Sequence, residues 1–226
     1  MIKREDYQYL RKLDDFKHLS IEAFDKIVGQ MEYRKVQKGH ILFFEGDKRD
    51  KLFLVTSGYF KIEQTDHSGT FIYTDFIHHG TIFPYGGLFT DETYHFSVVA
   101  MTDVTYYYLP VDLFEEFSLE NPKQMKHLYS KLSKLLELHE LRVRNLITSS
   151  ASDRVTQSLA LLLVEMGDET DTLPIQLTAT DIANMSGTTR ETVSHVLSKL
   201  KKDGYLSSHN KYLRFLNKDY FLKHTK

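Results

Sequence analysis

The sequence predicts an α+β protein: an N-terminal antiparallel β-roll, one long helix and a C-terminal winged helix-turn-helix. Three observations carry this expectation. Short apolar runs alternate with glycine turns between Tyr33 and Leu109, apolar residues recur every three or four positions from Asn121-Pro122 to about Thr148, and Thr178–Leu206 holds two helix caps around a glycine. The expected division is 1–120 for the roll, 121–148 for the long helix and 149–226 for the winged helix-turn-helix.

With 226 residues, 41% hydrophobic and 13% aromatic, the chain can bury a core. It contains no cysteine, which excludes disulfides, thiol chemistry and cysteine-held iron–sulfur or zinc centres. No apolar run approaches the roughly 20 residues of a membrane span, and Met1–Asp6 leads into no signal-peptide core. The expectation is a cytoplasmic protein without a membrane partner.

Taken in order, residues 3 to about 30 have helical period, with Tyr9, Leu13 and Phe16 on one side, then Ile21, Phe24, Ile27 and Val28 in a second short helix. The roll follows. Its strands are expected at Ile41–Phe44, Leu52–Val55, Phe60–Glu63, Thr70–Tyr73 after the turn His67-Ser68-Gly69, Ile82–Phe83, Phe96–Ala100 and Val104–Leu109. Such a roll commonly encloses a pocket. Pro110 ends the last strand, and Val111–Phe117 is a short helix.

Pro122 then sits at the first position of the long helix. Met125, Leu128, Leu132, Leu135, His139, Arg142 and Leu146 form a near-heptad seam, and a helix of about 25 residues spans nearly 40 Å, more than a small roll covers. From Leu128 onwards this seam is expected to meet a second copy of the chain. Ser149–Ser152 is the expected hinge. Asp153 is expected to cap the next helix, whose apolar face is Val155, Leu159, Leu162, Leu163 and Met166.

Thr178 with Asp181 has capping-box spacing, placing a helix at about Asp181–Met185, and Ser186-Gly187-Thr188 breaks it. Thr188 with Glu191 repeats the spacing and starts a second helix with Val193, Leu197 and Leu200 inward. Arg190, Glu191, Ser194 and His195 then project together from its first turns, where a recognition helix meets base edges. Arginine's fork matches guanine O6 and N7, and a carboxylate accepts from cytosine N4, so an essential G·C pair is expected. The full expected DNA-contacting set is Thr178, Thr188, Thr189, Arg190, Glu191, Ser194, His195, Lys199 and Lys211. Tyr205–Ser208 and Tyr212–Phe215 read as the two strands of a wing.

Charge agrees. From Ser186 to Lys226 nine Lys and Arg face three acidic residues, a local +6 that leaves −8 elsewhere in a chain of net −2. A basic tip on an acidic body suits phosphate attraction at one end.

The order of these elements resembles the Crp/Fnr family of dimeric bacterial transcription regulators. Gly39-His40-Ile41 through Glu45-Gly46-Asp47 with Ser57-Gly58, and Arg190-Glu191-Thr192-Val193-Ser194, carry the resemblance most specifically. It implies a cyclic-nucleotide-binding-like roll, a dimerisation helix and a two-fold symmetric DNA site similar to TGTGA or TTGAT with its inverted copy. His195 stands where the best-known members carry another arginine.

Cyclic-AMP-binding members use a Gly-Glu pair for the ribose and an Arg-Ser pair for the phosphate, in the segment that corresponds to Phe83–Val98. No acid stands in Phe83–Phe89 here and no arginine in Tyr94–Ser97. His139-Glu140 occupies the place of small hydroxyl residues that bond the adenine. The expected effector pocket is therefore degenerate, with Tyr85, Gly86, Gly87, His95, Ser97 and His139 as its candidate residues, no cofactor, and any small-molecule effector unidentified. The expected partners are double-stranded DNA, a second copy of the chain and, by fold analogy through the acidic loop Asp168–Asp171, RNA polymerase. The competing readings are a cyclic-AMP-responsive regulator, a haem-responsive one using His78 or His79, and, more remotely, a cupin-type metalloenzyme using His78, His79 and His95.

Overall fold

A computed structural model describes residues 4–66 and 72–224. The expected turn His67-Ser68-Gly69 and the strand start at Thr70-Phe71 lie outside the described residues. The chain forms two compact units, one of 1–64 with 76–139 and the other of 65–75 with 140–226. The long helix is thus shared between them rather than standing as a segment of its own.

The first unit begins with α1 (Arg4–Lys12) and α2 (Ile21–Gln30). Ser20 caps α2 by accepting from the Ala23 N–H at 3.1 Å. The inward residue of α1 is Leu10, not Tyr9, and α2 turns Ala23, Phe24, Ile27 and Val28 inward while Ile21 is exposed. Among the described residues eight strands follow along the chain, most of β5 lying in the second unit: β1 (Glu32–Val36), β2 (Ile41–Phe43), β3 (Lys51–Ser57), β4 (Phe60–Thr65), β5 (Ile72–Ile77), β6 (Ile82–Phe83), β7 (Ser97–Ala100) and β8 (Val104–Pro110). They form two four-stranded sheets, ordered β1-β8-β3-β6 and β2-β7-β4-β5.

Strand alternation divides the first sheet's side chains between two cores. Leu52 and Leu54 of β3 and Tyr107 and Leu109 of β8 face a cluster with α1, α2 and α3 (Val111–Leu119). Phe53 and Val55, with Val104 and Tyr106, face the roll interior. That interior is occupied by aromatic rings: Tyr94 stacks on Phe43 at 3.8 Å, and Phe53, Phe60 and Phe83 pack around them. The Tyr94 hydroxyl donates to the Lys51 carbonyl at 2.9 Å. The expected pocket is filled here because large apolar rings gain more by mutual burial than by lining a void.

Helix α4 (Pro122–Thr148) is capped by Asn121, whose Oδ1 accepts from the N–H groups of Lys123 and Gln124. Its first turns belong to the first unit's core. Leu128 is 1% exposed, so it is a core residue and not part of an outward seam. Beside it Lys131 Nζ contacts both oxygens of buried Asp15, at 2.7 and 2.8 Å, and donates to the Tyr85 hydroxyl at 2.9 Å. His127 Nε2 lies 3.1 Å from Asp15 Oδ1, and Gln124 donates to the Asp15 carbonyl at 2.7 Å. Burial alone would push the Asp15 carboxyl up. The charge and hydrogen bond of Lys131, with Tyr85 and His127, more than reverse this and hold it below the ordinary carboxylate range.

In the second unit Arg142 Nη1 bonds Asp75 Oδ2 and the Tyr73 hydroxyl, each at 2.7 Å. This pairing, not a partner helix, accounts for the part-burial of Arg142. Helix α5 (Ala151–Met166) begins earlier than expected because Ser150, not Asp153, is its cap: Ser150 Oγ accepts from the Asp153 N–H. Ala151 and Ser152 are therefore helical, and the non-helical break shrinks to Ser149-Ser150. Helices α6 (Ala179–Ser186) and α7 (Arg190–Lys202), strands β9 (Leu206–His209) and β10 (Tyr212–Phe215) and α8 (Lys218–Leu222) complete the chain. Val155, Leu159, Leu162, Leu163 and Met166 of α5 are all buried, as their spacing predicts. Among the described residues no helix is long and apolar enough to cross a membrane.

Gly58 has φ +83°, and a Cβ there would stand 2.3 Å from the Asp103 carbonyl oxygen. Gly58→Ala is therefore expected to lower unfolding free energy by about 1–3 kcal/mol, read by urea denaturation. Asp15→Asn should cost about 1–2 kcal/mol near neutral pH, since Lys131 is only part-buried. A depressed carboxyl stabilises the fold above its unfolded value, about 3.9, and ceases to do so as pH falls through the lower folded one. The wild-type advantage over Asp15→Asn should hold down to about pH 5 and shrink towards pH 3, as successive denaturation curves would show.

Candidate nucleic-acid interface

Helix α6 starts at Ala179 rather than Asp181. Thr178 is its cap, accepting from the Asp181 N–H at 3.1 Å, while Asp181 Oδ2 accepts from the Thr178 N–H at 2.9 Å. This capping box places Asp181 in the third helical position, so the helix must begin two residues before it. Gly187 ends α6 with φ 56° and ψ 46°, the left-handed conformation that glycine adopts without steric cost. Its missing Cβ also admits Leu146, whose Cδ2 would be 2.7 Å from an added methyl.

The turn between α6 and α7 is fastened by Arg154. Its Nε donates to Ser186 O at 2.9 Å, one terminal nitrogen to Gly187 O at 2.8 Å and the other to Ser149 O at 3.0 Å. One planar guanidinium thus satisfies three carbonyls left over at helix ends. Sequence reading does not single out Arg154, because a charged residue in an amphipathic helix carries no local signal of its partner.

Helix α7 is capped by Thr189, not Thr188: Thr189 Oγ1 accepts from the Thr192 N–H at 3.2 Å. Arg190 and Glu191 are consequently its first two residues. Glu191's own N–H and the Thr189 hydroxyl hold its carboxyl below the ordinary range, so it is an anionic acceptor at neutral pH. Val193, Val196 and Leu200 form the buried face; Leu197, expected there, is half-buried because the helix leans on its i, i+3, i+7 row.

Opposite that face Arg190, Glu191, Ser194, His195 and Lys199 are all exposed. No hydrogen bond or ion pair to another described residue engages the side chains of Arg190, Ser194, His195 or Lys199. Arg190 and Glu191 in particular do not form the ion pair that an ordinary solvated helix face would offer. The helix ends in Lys199, Lys201 and Lys202. Thr188 is half-buried, and its N–H donates to Ala183 O.

Strand β10 lies at Tyr212–Phe215 as expected and β9 at Leu206–His209, one residue later than expected, the two paired from Tyr212↔His209 to Phe215↔Leu206. Asn210 and Lys211, at φ 48° and 68°, make the tight turn that a right-twisted hairpin favours, and Lys211 is exposed at its tip. On the other edge Leu173 donates to Leu213 O, and Asp171 binds Lys218 at 2.8 Å. Asp168 Oδ1 accepts from the N–H groups of Thr170 and Thr172, closing the acidic loop.

The expected effector residues do not converge on one another. Tyr85 is buried in the helix-side cluster under Lys131. His95 pairs with Asp91 at 2.7 Å, Ser97 Oγ accepts from the Glu45 N–H at 3.0 Å, and His139 is exposed on α4. Gly86 is exposed; Gly87 (φ +79°) closes a turn so tight that a Cβ would collide with Asp91. His78 Nδ1 lies 2.8 Å from the His79 carbonyl oxygen. Among the described residues no three His, Asp or Glu are grouped so as to hold a metal ion.

Residues 33–121 match the family model of the cyclic nucleotide-binding domain, and residues 157–222 that of the Crp-like helix-turn-helix domain. A global nitrogen regulator of Synechococcus elongatus is 24% identical over 194 residues, covering 83% of this chain and 86% of that protein. The HTH-type transcriptional regulator ArcR of Staphylococcus epidermidis is 25% identical over 204 residues, 89% of each chain. FixK2 from Bradyrhizobium japonicum shares the fold, with a TM-score of 0.76 at 18% identity over 87% of this chain and 98% of that one. With roll, long helix and clamped helix-turn-helix in the same order, the chain belongs to the Crp/Fnr family of DNA-binding transcription regulators, and is not an enzyme.

Proposed function

We propose that the protein is a homodimeric, sequence-specific regulator that reads a palindromic TGTGA/TTGAT-like site without cyclic AMP. The observation that carries this reading is the polar face of α7: an arginine fork, an ionised carboxylate, a hydroxyl and an imidazole, exposed together on the first turns of a capped helix. Lys199, Lys201 and Lys202 at its end and Lys211 on the wing supply phosphate contacts. The threonines Thr178, Thr188 and Thr189 act through the caps and the turn, and their N-terminal position suits a backbone phosphate.

A single such helix reads only a few base pairs, so specificity calls for two. The outward face of α4 supports a second copy. Tyr129 (74% exposed), Leu136 (60%), Val143 (55%) and Ile147 (80%) line it, with Leu132, Leu135 and Leu146 partly exposed beside them. An apolar stripe of this length is costly in water and matches itself in a parallel pair. Leu128 and Arg142 drop out of the expected interface, because each already has a partner within its own unit.

The degenerate effector pocket rests on what Tyr85, His95 and Ser97 already bind. Each would have to give up an internal partner to meet a nucleotide, and no arginine is present in that segment for the phosphate. The loop from Asp168 to Asp171 is the surface assigned to RNA polymerase, and the site of action is the cytoplasm, where the DNA is.

Binding of a labelled TGTGA palindrome against a scrambled duplex at about 150 mM salt, with and without cyclic AMP, tests the whole reading. Selective binding without nucleotide is expected; selectivity that appears only with cyclic AMP would overturn the degenerate pocket. Arg190→Ala should lose about 1–3 kcal/mol of discrimination at one G·C pair, whereas Lys201→Ala should weaken all sequences alike. A uniform loss from Arg190→Ala would remove the base-reading assignment. Leu136→Glu should convert a dimer into monomer in sedimentation and abolish tight palindrome binding; a variant that stays dimeric would move the interface elsewhere.

A further inference from the structure

A cavity of about 120 Å³ lies wholly within the second unit, where the end of α4, α5 and the turn after α6 meet. Leu146, Leu161 and Met185 form its apolar wall. Among the described residues no acidic one lines it, whereas two arginines do. Arg142 is neutralised by Asp75. Arg154 is not: of the five N–H donors of a guanidinium, three go to uncharged carbonyls, and no carboxylate of a described residue is bonded to it. This half-buried cation therefore keeps further donors and an uncompensated charge. The polar groups beside it also have bonds still to make. Asn145, Ser158 and Asn184 line the cavity, and their side chains bond no other described residue. Gln157 donates from Nε2 to the Ser149 hydroxyl at 3.3 Å, while its Oε1 is buried without a partner. Turning that amide over lets its oxygen accept from the Ser149 hydroxyl and presents its NH2 to an acceptor.

We infer that this cavity binds a small organic monocarboxylate, with its charged end on Arg154 and its apolar body against Leu146, Leu161 and Met185. One uncompensated cation surrounded by amide and hydroxyl donors calls for one anionic acceptor. The apolar wall calls for carbon beyond it. The volume is a little under the roughly 150 Å³ at which an apolar cavity takes up benzene, so the body is about one ring or a short branched chain. A bound carboxylate would add to the three carbonyls already on Arg154 rather than replace them, and would so hold the Ser186-Gly187 turn more firmly. The site is separate from the roll, whose interior is filled by aromatic rings, and it does not depend on the base-reading assignment of α7.

Benzoate is the probe, titrated into the full chain by calorimetry at constant ionic strength. A Kd of about a millimolar or tighter is expected for a ligand of this size, together with a rise in melting temperature under saturation. Benzamide, of the same shape without the charge, should bind roughly tenfold more weakly. Inorganic phosphate, which has no apolar body, should not displace benzoate. Leu161→Trp, filling the cavity from a half-buried position, should abolish binding, and Arg154→Gln should weaken it roughly tenfold. Because Arg154 also fastens the turn, Asn184→Leu removes a polar group of the cavity with that clamp intact and should weaken benzoate several-fold. Lys199→Ala should bind as wild type does, which separates the cavity from a general attraction of anions to the basic end of α7. Absence of binding up to about 20 mM benzoate, equal affinity for benzoate and benzamide, or binding that survives in a folded Leu161→Trp overturns the inference.

Discussion

The guanidinium of Arg154 bonds three carbonyl oxygens, those of Ser149, Ser186 and Gly187, and the turn that leads into α7 depends on it. A helix-turn-helix must hold two short helices at a fixed angle with little core between them. Caps settle where each helix begins, and Gly187 lets the chain reverse. Arg154 holds the carbonyls of Ser186 and Gly187 at the end of α6, since a planar fork with several donors cannot be reoriented without leaving carbonyls unsatisfied. Beyond the turn, burial of Val193, Val196 and Leu200 seats α7 and leaves Arg190, Glu191, Ser194 and His195 exposed.

The roll shows a second consequence of satisfying groups internally. In its segment from Phe83 to Val98 the polar groups have found protein partners. Tyr85 accepts from Lys131, His95 binds Asp91, and Tyr94 enters the interior as a ring stacked on Phe43. A side chain so engaged is available to a ligand only at the cost of its present contact.

Helix α4 divides its length in a way that its periodicity alone conceals. An ideal helix drifts by some 20° per heptad against a seven-residue seam, so one apolar stripe need not serve one surface throughout. In the first turns Leu128 points into the core and Lys131 reaches Asp15; further on, Leu136, Val143 and Ile147 face outward. The apolar surface left uncovered is displaced around the helix from the row that Met125, Leu128 and Arg142 suggest.

The fold class, the order of elements, the extent of the long helix and the exposed polar face of α7 were legible in the sequence, because each rests on local rules. Glycine turns punctuate strands, threonine and aspartate at cap spacing start α6, and residues three to five apart on a short helix share a face. Helix starts were misplaced by one to three residues where two residues able to cap compete: Thr188 against Thr189, and Ser150 against Asp153 three residues later. Either can cap, and the choice depends on which N–H group the tertiary turn leaves free. What only the tertiary structure decided are the long-range polar pairs. Arg154 with the turn, Lys131 with Asp15 and Arg142 with Asp75 join residues from 32 to 116 positions apart. No periodicity encodes such a pair, since each partner satisfies its local rules equally well without the other, and only the packed chain brings donor and acceptor within 3 Å.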